Sequence, residues 1–313
     1  MNRRTFLRAG VALSCGLAGC LDSIRPPTSS SSDGLSCPST VPRIENADFE
    51  GEFEMRCNAP TESETEPSDT ALAPDSRSVS LPDAEIAFTL TNRRDRYFNA
   101  NFYRWELQKR VDGEWYATVP TRAAANAGSS LAPDESHTWS VSVTNDNLGT
   151  PVEPVTADES LSLRALGGGT YAFLVVGSYG RRGQSPQENQ PIIAYAAPFT
   201  LSGDALQLVP TNTVRDVTRD GNAVTVTVGG ADSNGSVTVT KRPETDPSDD
   251  AVSAAYVTES VYGVPALRNA LAHFEDGVEA VTVRDDDLFG TPLYRGLTFA
   301  YEGTVYEVTD RSL

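Results

Sequence analysis

Two histidines, four cysteines and several acidic runs are the side chains in this 313-residue sequence with the reactivity for catalysis or metal binding. His137 opens a strand-like stretch and His273 follows the apolar face of a helix-like one. Neither has a second histidine or a cysteine at ligand spacing, so both read as surface or capping residues rather than ligands. A serine nucleophile would have to use one of them, and no GxSxG elbow accompanies any serine. The sequence contains no HExxH, P-loop or SxxK motif. Gly177-x-x-Gly180-x-x-Gly183 has the glycine period of a dinucleotide fingerprint, but it carries Arg181-Arg182 and runs to Pro186 instead of a helix. It reads as a hairpin loop. Asp285 to Asp287, and the run from Asp246 to Asp250, lack the alternate-position spacing of a calcium loop and read as solvated surface. Paired carboxylates for glycoside hydrolysis depend on a three-dimensional separation, and nothing singles out a pair. No catalytic, cofactor-binding or metal-binding residue emerges, and the expectation is a non-enzymatic protein without a cofactor.

Binding chemistry is better represented. Arg93, Arg94 and Arg96 fall in a short run beside Tyr97, Phe98, Phe102 and Tyr103, the one basic and aromatic cluster in an acidic chain. Arg181 and Arg182 sit in a second loop, from Tyr179 to Pro191. Guanidinium groups on inter-strand loops suit recognition of an acidic protein partner, and they equally suit local pairing with surplus surface acids. Asn234-Gly235-Ser236 is the single N-glycosylation sequon, placed where a plain turn would also fit.

The amino terminus reads MNRRTFLRAGVALSCGLAGC. Arg3-Arg4 followed by Thr5-Phe6-Leu7 resembles the twin-arginine export signal, an address read by a receptor. The apolar stretch from Ala9 to Ala18 is too short to span a bilayer and suits a signal-peptide core. Leu17-Ala18-Gly19-Cys20 resembles the lipobox of prokaryotic lipoproteins. The resemblance implies that the Cys20 sulfur carries a diacyl- or dialkylglycerol, that the peptide is cut just before it, and that the lipid anchors the chain to the outer face of the cytoplasmic membrane. Cys15 is then discarded. Cys37 and Cys57 remain as an even pair in an extracytoplasmic chain, with no CxxC and no nearby histidine. That pattern predicts one disulfide, closing a loop of about twenty residues and contributing ~3 kcal/mol.

The chain has 43 acidic against 25 basic residues, a formal charge of −18, and loss of the signal would remove three arginines and no acid. Lys109 and Lys241 are the only lysines. Strong acidity with arginine in place of lysine resembles proteins of salt-saturated archaea, where salt screens the self-repulsion. Guanidinium still pairs with carboxylates in forked geometry. With no basic stripe to displace counterions, nucleic acid is excluded as a partner.

The elements that must position these groups are mainly strands. Residues 20–36 read as a lipidated cysteine and polar tether, 37–57 as a disulfide-closed segment, and 58–77 as an acidic linker expected to be disordered. From 78 to 202 short alternating stretches recur: Ile86, Phe88 and Leu90; Tyr103, Trp105 and Leu107; Trp139, Val141 and Val143. Asp112-Gly113 before Glu114-Trp115-Tyr116 is a strong hairpin signal. This spacing predicts an antiparallel β-sandwich of about seven strands. The series WELQKRVDGEW, LAPDES and GGGTYAFLVV resembles immunoglobulin-like domains of bacterial and archaeal surface lipoproteins, and is similar to the proteinase-inhibitor-like sandwich of bacilli. That likeness implies a fold, with inter-strand loops as contact surface, and brings no catalytic residue.

Residues 203–313 read as a small α+β domain. Val224, Val226 and Val228, then Val237 and Val239, predict a long hairpin, and Pro265 opens one helix carrying Val264, Leu267, Leu271 and Phe274 on one face, stopped by Gly277. This part resembles uncharacterised domains of haloarchaeal lipoproteins. The sequence therefore predicts an exported, lipid-anchored structural or protein-interaction module. The alternative is a peptide- or protease-binding, inhibitor-like or solute-binding protein.

Overall fold

The computed structural model describes residues 36–39, 53–57, 70–119, 128–153, 155, 159–184, 190–229, 235–243, 252–288 and 291–312. Arg3, Arg4, Cys20 and Asn234 lie outside the described residues, as does the acidic run from Asp246 to Asp250.

The first half is a sandwich of two sheets. The larger contains, in spatial order, β1 (Phe53–Cys57), β11 (Ile192–Ser202), β10 (Gly169–Gly180), β5 (Tyr97–Val111) and β6 (Glu114–Val119). Two short strands extend it, β3 (Ser78–Ser80) on β11 and β7 (Ser129–Leu131) on β5. The facing sheet contains β2 (Ala71–Pro74), β4 (Ala84–Thr91), β8 (Ser136–Thr144) and β9 (Ser160–Arg164). In β4 and β8 the apolar side chains alternate inward, so each sheet buries one face against the other. Phe88 stacks on Phe173 with ring centroids 4.4 Å apart, and Trp105 and Trp139 close the same aromatic core. The Trp139 indole donates to the Phe102 carbonyl at 3.0 Å, which satisfies the one polar atom this ring brings inside.

The sandwich is larger than the predicted seven strands. Its extra members β2, β3, β7 and β9 are three to five residues long, too short for alternation to stand out in a sequence. Two predicted boundaries are corrected. The 58–77 linker ends in β2, whose Leu72 is fully buried. The 37–57 segment gives up its last five residues as β1, paired in parallel with β11. Parallel pairs also join β3 to β11 and β8 to β9, while the remaining sandwich pairs are antiparallel. Cys37 and Cys57 are joined as expected. At Asp112 (φ 51°) and Gly113 (φ 93°) the β5–β6 turn takes two left-handed residues, the conformation that an Asp-Gly hairpin supplies.

The second half is one seven-stranded sheet. Its order is β12 (Val214–Asp220), β13 (Ala223–Val228), β16 (Ala280–Arg284), β14 (Ser236–Lys241), β18 (Thr304–Ser312), β17 (Thr298–Tyr301) and β15 (Ala254–Tyr256). The predicted β13–β14 hairpin does not form, because β16 inserts between them, parallel to β13 and antiparallel to β14. The valines do line one buried face as predicted.

Helical structure covers that face in two pieces instead of one: α1 (Thr258–Tyr262) and α2 (Pro265–Leu271). Pro265 forces Val264 out of helical geometry, so the first turn ends at Gly263 and a second begins. α2 stops at Leu271, short of the predicted Gly277. Phe274 still packs, edge-on to Tyr306 at 4.9 Å. Among the described residues no helix is long and apolar enough to cross a membrane.

Candidate functional site

The two arginine-bearing loops share one end of the sandwich. β5 begins where the first loop ends, β10 ends where the second begins, and Tyr97 pairs with Gly180. The β5–β10 register shifts between Val175 and Gly177, so the last rungs of the pair form a separate step of the ladder. Glycine is required at that step, since a Cβ on Gly177 would collide with the Asn99 carbonyl and the Phe98 ring. The glycine-periodic motif is thus a strand irregularity followed by a turn.

Two buried asparagines hold the loops in shape. The Asn92 amide donates to the carbonyls of Arg96 (2.8 Å), Leu131 (3.0 Å) and Ala132 (3.1 Å), and its oxygen accepts from the Arg94 N–H at 3.1 Å. The Asn99 amide donates to the Arg181 carbonyl at 3.0 Å, while its oxygen accepts from the Gly183 N–H and the Ser130 hydroxyl. Arg94 lies over the Tyr179 ring at 4.5 Å, and the Tyr179 hydroxyl meets that of Tyr195 at 2.6 Å. Burial, and then that hydrogen bond, push the Tyr195 phenol up. Arg93, Arg96, Arg181 and Arg182 are exposed on this frame. The result is a preorganised arginine-rich end on an anionic molecule, its five guanidinium groups outnumbering the neighbouring Asp95, Asp134 and Glu135.

A second polar constellation lies where the sandwich meets the α+β domain. Glu259, at the start of α1, is buried, and its Oε1 accepts from Lys109 Nζ (2.6 Å), the Gly167 N–H (3.1 Å) and the Tyr171 hydroxyl (3.3 Å). Burial, then the charge of Glu259, hold the Tyr171 phenol well above its ordinary range. On α2, Arg268 is fully buried and stacks on Tyr262 at 4.1 Å. Its guanidinium donates to the carbonyls of Val209 (2.7 Å) and Pro210 (3.3 Å) in the segment that enters its own domain, and to those of Thr150 (3.3 Å) and Leu148 in a loop of the sandwich. Beside Lys109 and Glu259 opens a cleft of about 360 Å³.

No family model matches this chain, nor does any curated protein. Among solved structures, the ASH / PapD-like domain 7 of human CEP192 aligns at 16% identity and TM-score 0.19, over 47% of this chain and 94% of that one. A β-glucosidase from Listeria innocua, in complex with glucose, aligns at 14% identity and TM-score 0.18, over 48% of this chain and 18% of that one. At these scores neither likeness informs function.

The remaining sequence candidates have structural places. His137 is neither cap nor open surface: it is half-buried and stacks on Phe102 (4.2 Å) and against Trp139 (4.3 Å). His273 Nδ1 lies 2.7 Å from the Asn269 carbonyl, just beyond α2. Asp285 turns back to accept from the Asp287 N–H at 3.0 Å, and burial pushes its carboxyl up. Among the described residues no group of three or more His, Cys, Asp or Glu side chains is placed to hold a metal ion. The sequence reading missed Lys109, Glu259 and Arg268. A signal existed for two of them: Lys109 continues the inward series Trp105, Leu107, and Arg268 continues the apolar helix series Val264, Leu267. A charge on a core-facing position asks for a buried partner.

Proposed function

We propose that this chain is an exported, lipid-anchored interaction module of a halophilic archaeon, held by Cys20 at the outer face of the cytoplasmic membrane. Its role is non-enzymatic, and its contact surface is the cationic end of the sandwich. The observation that supports this is the convergence of Arg93, Arg94 and Arg96 with Arg181 and Arg182, on loops fixed by Asn92 and Asn99. In a chain of net charge −18, such an end meets an acidic protein surface without the repulsion the rest of the molecule would impose. The buried contacts of Glu259 and Arg268 support a rigid presentation of that surface.

Crosslinking and affinity purification from membranes at native salt is the test. A single stoichiometric partner, lost on replacing Arg96, Arg181 and Arg182 by glutamate, is expected. Partners unchanged by that triple replacement would overturn the assignment to this end. The anchoring arm is separate: Cys20→Ser should release the chain from the membrane or leave its precursor uncleaved, and normal membrane retention would refute lipidation.

A further inference from the structure

We propose that the cleft between the sandwich and the α+β domain binds a compact organic cation bearing an alkylammonium group. Its volume, about 360 Å³, falls within the range of small-molecule sites, roughly 300–1,000 Å³. Tyr116 of β6 and Tyr256 of β15 contribute half-buried rings to its lining, while Tyr301 of β17 lies buried behind it with its hydroxyl on Thr258 at 3.2 Å. Phenol rings attract a cation through their faces, most strongly where water is partly excluded.

The charge is complementary. Asp112 and Glu302 stand exposed at the rim, one from each domain. Each occupies the first position of a tight hairpin turn in a left-handed conformation, Asp112 at φ 51° before Gly113 and Glu302 at φ 47° before Gly303. Asp is tolerated there but Glu less so, and Glu302 Oε1 is held at the cleft wall by accepting from the Thr258 hydroxyl at 3.5 Å. The one lysine in the lining, Lys109, is already matched by Glu259 at 2.6 Å, so the cleft as a whole is anionic. An anion or a second carboxylate-rich surface would be repelled, and a small cation would be drawn into the cleft.

The cleft is distant in kind from the arginine end and owes nothing to it: one recruits a cation, the other an anionic surface. The test is calorimetric titration of the full chain with tetramethylammonium chloride, with sodium chloride adjusted to hold ionic strength constant. Saturable one-site binding is expected, weakened about two- to fivefold by Glu302→Gln and again by Asp112→Asn, the size of an exposed charge contact. Asn suits the left-handed turn position, so that variant keeps the fold. Neopentyl alcohol, a water-soluble neutral analogue of similar size, should show no saturable heat. Absence of saturation, equal binding of the alcohol, or affinity unchanged in both variants would overturn the proposal.

Discussion

Lys109 and Glu259 stand 150 positions apart in the sequence and meet at 2.6 Å, with side chains 12% and 2% exposed. One belongs to the larger sheet of the sandwich, the other to the first helix of the α+β domain. The pair is therefore a covered ionic contact between domains, where removing one partner strands the other.

Glu259→Gln should cost about 3–5 kcal/mol, because the Lys109 ammonium then stays buried without its carboxylate. Adding Lys109→Met should recover part of that loss. Denaturant titration of the two single variants and the double one gives the coupling, and strictly additive losses would show that the two groups act independently.

Arg268 holds the same boundary by a different device, a guanidinium shared among carbonyls. Arg268→Met keeps the length of the side chain and leaves those buried oxygens without donors, at a total of at least about 3 kcal/mol. Calorimetry should show one transition in the parent chain and two in the variant, as the domains uncouple. A single transition in both, at the same temperature, would assign the coupling elsewhere.

The Cys37–Cys57 disulfide ties down the start of the fold through β1, whose residues pair with Ile192 to Ala196 of β11. Replacing both cysteines by serine should lower stability by about 3 kcal/mol. Hydrogen exchange should quicken selectively along Ile192 to Ala196, where the parallel partner is lost. Mass spectrometry without reductant checks the bond itself, and two free thiols would remove the basis of this prediction.

Alkaline stability follows from two phenols. Burial and Glu259 keep Tyr171 neutral, and burial and the Tyr179 hydroxyl do the same for Tyr195. The unfolded chain releases both protons near pH ~10 while the folded chain retains them, so their contribution is intact below about pH 10 and falls as pH rises beyond it. Denaturation midpoints measured across that range should decline, and Tyr171→Phe should flatten the decline. Equal slopes in parent and variant would argue against a role for Tyr171.

Much of the fold was legible because a strand has a period of two. Alternation at Ile86, Phe88 and Leu90, or at Val224, Val226 and Val228, states which side chains face a core, and the structure buries all six. Asp112-Gly113 dictated its own turn through backbone sterics, and the cysteine pair was read from count and compartment. Alternation does not name the neighbouring strand. Val224–Val228 and Val237–Val239 looked like two arms of a hairpin, yet each pairs instead with the segment around Val281, which arrives later in the chain and carries the same pattern. The arginines of the two loops were visible as residues, but only the pairing of Tyr97 with Gly180 brings them to one end. Lys109, Glu259 and Arg268 make the same point for charge. Desolvation requires each to find a partner, and those partners lie on segments 58 to 150 residues away, a distance that tertiary packing alone closes.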